Sequence, residues 1–206
     1  MKKVLLITML LLFSALSPSH ADEKRLELEL DASSLQQLLI EVGVGQIQIT
    51  PANTDRILLT VDVRGEKRWW FFSYKVGNAE LRQQREGNTL RLSIPKDNTK
   101  QHWQLTVPAE LAVKADLGVG QFYANNISSS YEIDVGVGQI SSSLNAEQYQ
   151  RIELSAGVGN VNLHNAPSNF KADRHLVGGS LEWTGQGNTE FKANVGVGDI
   201  SLTHLN

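Results

Sequence analysis

Apolar and polar side chains alternate along most of this chain. Residues 26–30, 131–135, 152–156 and 191–195 each place an apolar side chain at every second position, with polar or charged ones between. This two-residue period is typical of a β-strand that buries one face. Clusters of Asn, Gly, Pro and Ser separate such segments, as expected for turns. The pattern therefore predicts an all-β chain.

One short phrase interrupts the alternation six times, usually as Gly-Val-Gly followed by a polar residue. Its copies begin at Val42, Leu117, Val135, Ala156, Leu176 and Val195. From the second copy on, the last glycine recurs in steps of 18 to 21 residues, which is the period of a β-solenoid coil. Glycine suits a tight corner because it tolerates positive φ and lets backbones stack closely. We therefore expect a β-solenoid with coils of about 18–21 residues and glycine corners.

The phrase generates two further expectations. The valine between the glycines should point inward and supply one apolar group per coil. The residue after the second glycine should form a column along the solenoid, in which stacked amides hydrogen-bond as a ladder; a row that reads a ligand is the alternative. The members of this column are Gln46, Gln121, Gln139, Asn160, Ser180 and Asp199.

The amino-terminal half follows the same pattern less regularly. The strand at 46–50, the turn at 51–55 and the strand at 56–64 fit one coil. The glycines at 45 and 120 are 75 residues apart, which leaves room for coils without the phrase or for a hairpin-rich cap, and we favour a distorted continuation. The alternating leucines at 26–30 look like a first strand that covers the open end.

The chain divides into a leader and one domain. Residues 1–21 have the charged start, the apolar run and the Ser19-His20-Ala21 cleavage site of a secretory signal peptide, with cleavage after Ala21. Residues 22–206 form a single β-solenoid domain. Its part at 22–110 is irregular and contains an aromatic segment, and its part at 111–206 consists of regular Gly-Val-Gly coils.

Composition limits the compartments and the classes of partner that we expect. No later segment has the apolar length of a membrane span, so we expect no transmembrane span in the mature chain. The chain has no cysteine, which excludes disulfides and cysteine-linked lipids. Its net charge of −3 argues against nucleic acid. We expect a periplasmic, secreted or cell-surface protein of a Gram-negative bacterium.

No motif for catalysis, a cofactor or a metal is predicted. A nucleotide site would need one glycine loop between a strand and a helix, and here the phrase lies between strands. The four histidines after the leader have no metal-ligand spacing. Glu41, Asp116 and Asp134 share one position of the phrase. In the later copies this position holds Ser155, His175 and Asn194, as expected of a solvated outward column.

The aromatic run at 69–74 is the least ordinary segment. Its aromatic members are candidate partner-binding residues: Trp69, Trp70, Phe71, Phe72 and Tyr74. Because both faces of a strand through this run would be apolar, it cannot be a simple half-buried strand. Three interpretations are open: core or a capping hairpin, an exposed patch for a protein or glycan, or a peripheral contact with a membrane beside the basic residues Lys67, Arg68 and Lys75.

The coil phrase at 41–49, the central Leu-Thr-Val-Pro at 105–108 and the segment at 111–116 resemble the bacterial putative-adhesin β-strand-repeat family of unknown function, with toast-rack and head-domain adhesin-like modules. The resemblance covers about residues 26–206. It implies a right-handed single-stranded β-helix that is exported and has no known catalytic centre. The aromatic run and the irregular copy at 176–181 depart from the family pattern.

Together these observations predict a noncatalytic cell-envelope module for binding, adhesion or scaffolding, whose partner is an unknown envelope protein or glycan. A periplasmic partner in envelope-stress signalling is the first alternative. A glycan-active β-helix enzyme is the second alternative.

Replacing Trp69 and Trp70 together by alanine separates the readings of the aromatic run. If the run fills or caps the core, the double variant loses about 3–5 kcal/mol per side chain and fails to fold, as circular dichroism would show. If the run is an exposed patch or a membrane contact, folding is unchanged while cosedimentation with bacterial envelopes is lost.

Overall fold

In the computed structural model, the described residues are 23–69, 72–73, 76–165, 171–174 and 178–205. They form 15 strands and one 3₁₀ turn at Ala146–Gln148. The strands are β1 (Glu23–Asp31), β2 (Gln37–Ala52), β3 (Arg56–Gly65), β4 (Lys67–Trp69), β5 (Phe72–Ser73), β6 (Arg82–Glu86), β7 (Thr89–Ser93), β8 (Thr99–Pro108), β9 (Ala112–Ile127), β10 (Tyr131–Leu144), β11 (Tyr149–Val158), β12 (Val161–His164), β13 (Lys171–Arg174), β14 (Gly179–Thr184) and β15 (Thr189–His204). The all-β prediction is confirmed. The predicted signal peptide at 1–21 lies outside the described residues.

Four long strands carry the glycine phrase and bend at it. In β2, Leu38, Ile40 and Val42 are buried before the phrase, and Ile47 and Ile49 are buried after it. Because 42 and 47 are an odd number of residues apart, strict alternation would send the second group outward. The phrase thus shifts the alternation and lets the strand bury its side chains on both sides of the bend.

The bent strands divide the sheet into two wings, which we define by position relative to the phrase. The first wing contains residues before it, in the order β6-β7-β2-β9-β10-β15-β11-β14-β13. The second wing contains residues after it, in the order β1-β3-β8-β2-β9-β10-β15-β12. Together they make one mixed sheet of 13 strands, and β4 pairs separately with β5.

Both wings bury their inner side chains in one hydrophobic core. The predicted alternation is confirmed at 131–135, 152–156 and 191–195, where the apolar members are buried. Trp103 is fully buried, and its indole Nε1 donates a 2.9 Å hydrogen bond to Oε1 of the buried Gln101. The amide of Gln101 in turn donates to the Ile94 carbonyl, so this buried polar pair is satisfied.

The stacking order differs from a simple succession of coils. β10 pairs in parallel with β9 on one side and with the carboxyl-terminal strand β15 on the other. β11 follows β10 in the chain but pairs with the far side of β15. A simple β-solenoid would stack consecutive copies of the phrase next to one another, whereas here β15 lies between the third and fourth copies.

The fifth copy of the phrase is not a corner. Gly179 begins β14, which runs antiparallel to β11 and pairs Gly179 with Ala156 and Ser180 with Ser155. The sequence predicts Ser180 in the column after the second glycine. This prediction is wrong, because Ser180 pairs with Ser155 instead. Because β14 runs antiparallel to β11, this segment covers the end of the first wing instead of continuing the stack of corners.

The irregular amino-terminal half combines both of the expected arrangements. β7 and β8 run parallel to the two halves of β2, so residues 89–108 make one distorted coil without the phrase. β3 runs antiparallel to β1 and β8. The reading of residues 46–64 as one parallel coil is therefore wrong, although both of its strands are present.

The predicted first strand is confirmed as β1, which pairs only with β3 among the described strands. Leu26, Leu28 and Leu30 pack against the core. On the same face, Lys24 donates hydrogen bonds to the carbonyls of Gly77 and Ala79. An inward-pointing charge protects an open edge from pairing with other strands. Among the described residues, no helix is long and apolar enough to cross a membrane.

Gly138→Ala is expected to prevent folding or to cost at least about 3 kcal/mol in the free energy of unfolding. A Cβ at this position would lie 1.7 Å from the Gly120 carbonyl oxygen, and φ is +150°. Chemical denaturation measures the loss. Gly43→Ala is the matched control, because a Cβ there meets nothing within 4 Å. Equal stability of the two variants would contradict a requirement for glycine in the corner stack.

Candidate binding surface

A ridge of valines follows the bend on the outside of the molecule. Val119, Val137, Val158 and Val197 are each 47–50% exposed and lie on neighbouring strands in register, with Val44 at the end of the row. The expectation that these valines point inward is wrong. The shift in alternation at the phrase turns them outward, so the ridge is an apolar strip of five side chains.

A trough runs beside the ridge across the strands. Its floor is the backbone of Gly45, Gly120, Gly138 and Gly198, which have no side chains to fill it. The valine ridge forms one wall and the column after the second glycine forms the other. The groove has a volume of about 950 Å³ and ends at side chains of β3 and β8.

The polar wall of the trough confirms most of the predicted column. Gln46, Gln121, Gln139 and Asp199 are register partners on β2, β9, β10 and β15. Asn160 extends the row, because its backbone N–H and its Nδ2 both donate 2.9 Å hydrogen bonds to Oδ1 of Asp199. Among the described contacts this is the one step at which the predicted side-chain ladder forms, and the three glutamine amides make no hydrogen bond with one another.

A second groove lies on the first-wing side of the ridge and carries acidic side chains. Glu41, Asp116 and Asp134 are register partners there. Arg91 pairs with Glu41, and the Asn194 amide donates a 2.8 Å hydrogen bond to Asp134. Burial raises the pKa of Asp116, and the negative charges of Asp134 and Glu41 raise it further against the opposing effect of Lys114.

The outer face of the first wing is a network of ion pairs. Lys114 Nζ lies 3.0 Å from Glu132 on the neighbouring strand. Arg151 pairs with Glu153 and lies 3.2 Å from Glu182. Exposed pairs of this kind contribute little stability each, about 0–1 kcal/mol. They do engage the charged groups with one another, so this face offers few free hydrogen-bonding partners.

The described side chains contain no cluster of three His, Asp or Glu groups that could hold a metal ion. His102 lies on the outer face of β8, whereas His204 is buried and its Nδ1 accepts a 3.1 Å hydrogen bond from the Ala146 N–H. His204 is therefore engaged in the core. His175 lies outside the described residues.

The structure does not test the role of the aromatic run at 69–74. Trp69 and Phe72 pair through their backbones in the β4–β5 hairpin. Their side chains lie outside the described part of the chain, as do Trp70, Phe71 and Tyr74. The role of these five residues in binding a partner therefore stays a prediction.

The outward direction of the valines could have been predicted from the apolar positions on either side of the phrase. An inward stack of valines requires unbroken alternation through the phrase. Buried positions at 42 and 47 exclude this, because an odd separation puts the two positions on opposite faces of a regular strand. Ile47, Phe122, Ile140 and Ile200 are the apolar residues that mark the shift.

Asp116→Asn is expected to raise the melting temperature at pH 7 and to leave it unchanged below pH 3.8. A raised pKa means that the folded state keeps a proton that the unfolded state has lost, so stability falls as the pH rises from 3.8 through the pKa of the folded protein. Asparagine removes this penalty. Thermal unfolding across the pH range tests it, with Asp55→Asn in an exposed turn as the control. A melting temperature that is lowered at pH 7 would contradict the expectation.

This fold is also found in a solved bacterial structure. A protein from Clostridium sporogenes described as a putative cell adhesion protein superposes with a TM-score of 0.52 at 15% identity, covering 89% of this chain and 100% of its own. Putative adhesins from Parabacteroides distasonis and Bacteroides fragilis align over 89% and 87% of this chain, and over 74% and 97% of their own chains, at 11% and 13% identity, with TM-scores of 0.31 and 0.29.

No family model and no curated protein matches the chain. The likeness to the clostridial protein spans the whole of that protein and most of this chain. The resemblance to bacterial putative adhesins that the coil phrase indicated is therefore confirmed at the level of the fold.

Proposed function

We propose that this chain is a noncatalytic, exported cell-envelope module that acts in binding, adhesion or scaffolding, and that its contact surface is the valine ridge with the trough beside it. The aromatic run is the second candidate surface. The partner is an envelope protein or a glycan. The right-handed β-helical path and the periplasmic or cell-surface location belong to the same proposal.

The exposed valine ridge is the observation that carries this proposal. The described chain leaves five large apolar side chains exposed, and four of them lie on the ridge. Scattered exposed apolar residues are ordinary on protein surfaces, whereas a contiguous apolar strip bordered by polar residues is typical of an interaction site. Burial of the ridge by a partner would remove this strip from water.

The fold likeness supports an adhesive role. The clostridial protein with the same fold is described as a putative cell adhesion protein. Folds host several functions, so the site has to carry the argument and the likeness adds to it. An extended array of in-register strands offers a long regular surface, which suits adhesion and scaffolding.

The acidic groove does not favour the enzyme alternative. A pair of glycosidase carboxylates needs one raised and one ordinary pKa around a bond-cleaving position. Asp116 fits the first condition. Asp134 is engaged by the Asn194 amide and Glu41 by Arg91. These contacts are compatible with structural roles for both carboxylates, and the sequence has no catalytic motif, so we propose binding without catalysis. The envelope-stress alternative stays a prediction about which partner is bound.

Replacing Val119 and Val137 together by serine is expected to weaken envelope binding by roughly tenfold or more, because two half-exposed valines would no longer bury apolar surface against the partner. Cosedimentation of the purified mature chain with bacterial envelopes measures it. Since both valines are exposed, circular dichroism should show unchanged folding.

Leu58→Ser is the matched control for this experiment, because Leu58 is 45% exposed and lies on β3 away from the ridge. Its binding should equal that of the unchanged protein. Full binding by the double serine variant would remove the ridge from the proposal. Absence of binding by the unchanged protein would contradict a binding module.

A further inference from the structure

The outer faces of the two wings differ in charge. Outward side chains of the first wing are largely charged and paired with one another, as in the contacts of Lys114 with Glu132 and of Arg151 with Glu182. On the central strands of the second wing, the outward side chains are mostly amides and hydroxyls. The row next to the trough wall contains Gln104, Gln48, Tyr123, Ser141 and Ser201.

The described residues show no hydrogen bond to these uncharged groups. Among the described contacts, the side chains of Gln46, Gln121 and Gln139 make no hydrogen bond, and those of Gln48 and Tyr123 make none either. Each glutamine amide offers two N–H donors and one carbonyl acceptor. The trough wall thus presents a row of free donors and acceptors that carries no net charge up to Asp199.

The charges near the trough are confined to its ends. At the β3–β8 end, Asp62 is engaged by Arg25 and Arg64 by Glu23, so Lys100 is the remaining cation there among the described lining residues. At the other end, two N–H groups of Asn160 donate hydrogen bonds to Oδ1 of Asp199. A charged ligand in the middle of the trough would lose hydration and gain no partner of opposite charge. This desolvation costs free energy.

The spacing of the trough walls distinguishes between extended ligands. Both walls repeat at the strand spacing of about 4.8 Å. An extended peptide rises about 3.3 Å per residue and presents side chains on one face at every second residue, so its pattern does not match the rows. A sugar ring in a linear glycan is about as long as the strand spacing, and it has an apolar C–H face and hydroxyls at its edges.

We propose that the trough binds a linear, uncharged glycan that lies across β2, β9, β10 and β15. The C–H faces of successive sugar rings contact Val44, Val119, Val137 and Val197. Their hydroxyls exchange hydrogen bonds with the amides of Gln46, Gln121 and Gln139, and the bare glycine floor allows the chain to approach the backbone. This inference rests on the proposed binding function and names the class of its ligand.

The test uses the full mature chain on an array of uncharged linear glycans, with hydroxyethylcellulose, galactomannan and dextran as soluble polymers for affinity electrophoresis. Polygalacturonate and chitosan are the anionic and cationic controls. The unchanged protein is expected to bind uncharged glycans and to be retarded by at least one uncharged polymer more than by either charged one. Binding to no uncharged glycan, or preferential binding to a charged polymer, would overturn the inference.

The variant Gln121→Glu with Gln139→Glu places two negative charges in the polar wall while keeping the shape of the side chains. Its affinity for uncharged glycans is expected to fall by about tenfold, because desolvating each carboxylate opposes binding. Gln36→Glu with Gln83→Glu makes the same chemical change at exposed positions away from the trough and should bind as the unchanged protein does. Equal affinity of the two double variants would overturn the inference.

Envelope cosedimentation distinguishes failure of the glycan inference from failure of the proposed function. The glutamate double variant retains the valine ridge. If the unchanged protein sediments with envelopes but binds no uncharged glycan, the glycan inference fails and the binding module stands. If the unchanged protein binds neither, both fail.

Discussion

The close approach of glycine backbones at the bend is the contact on which the rest of this structure depends. At Gly45, Gly120, Gly138 and Gly198, a Cβ would lie 1.7–1.8 Å from a carbonyl oxygen of the adjacent strand, and φ is between +140° and +155°. Only glycine accepts both conditions. A slip by one residue would place valine or a polar residue in this contact, so the stack also fixes the register of the four bent strands.

The fixed register is what gives the surface its rows. Because each bent strand aligns glycine with glycine, every other position of the phrase also aligns with its equivalent on the next strand. The valines then form a continuous ridge, the residues after the second glycine form a wall, and the glycines between them leave a trough. A ligand-sized feature thus follows from a requirement of backbone packing. The phrase is structural, and it also shapes the surface.

The sequence predicted the local features of this arrangement and missed those that depend on distant partners. Alternation identified the buried members of β10, β11 and β15, and the phrase identified the bends. The phrase does not predict the order in which its strands stack, because the glycines at 159 and 198 could make the same backbone contact with Gly138. The structure places β15 between β10 and β11, with β14 and β13 beyond β11. The copy at 176–181 lacks the valine between its glycines, and it is the copy that forms no corner.

The outward side chains of the two wings differ in what they contribute to the fold. In the first wing, ion pairs between neighbouring strands account for the charged side chains within the fold. In the second wing, the glutamine side chains of the trough wall make no hydrogen bond among the described contacts and lie outside the core, and glutamine has no special preference for strands. Stability therefore explains glycine at the bend but leaves the amides beside it unexplained. A ligand that takes up their hydrogen bonds supplies the missing physical reason for an uncharged row at this place.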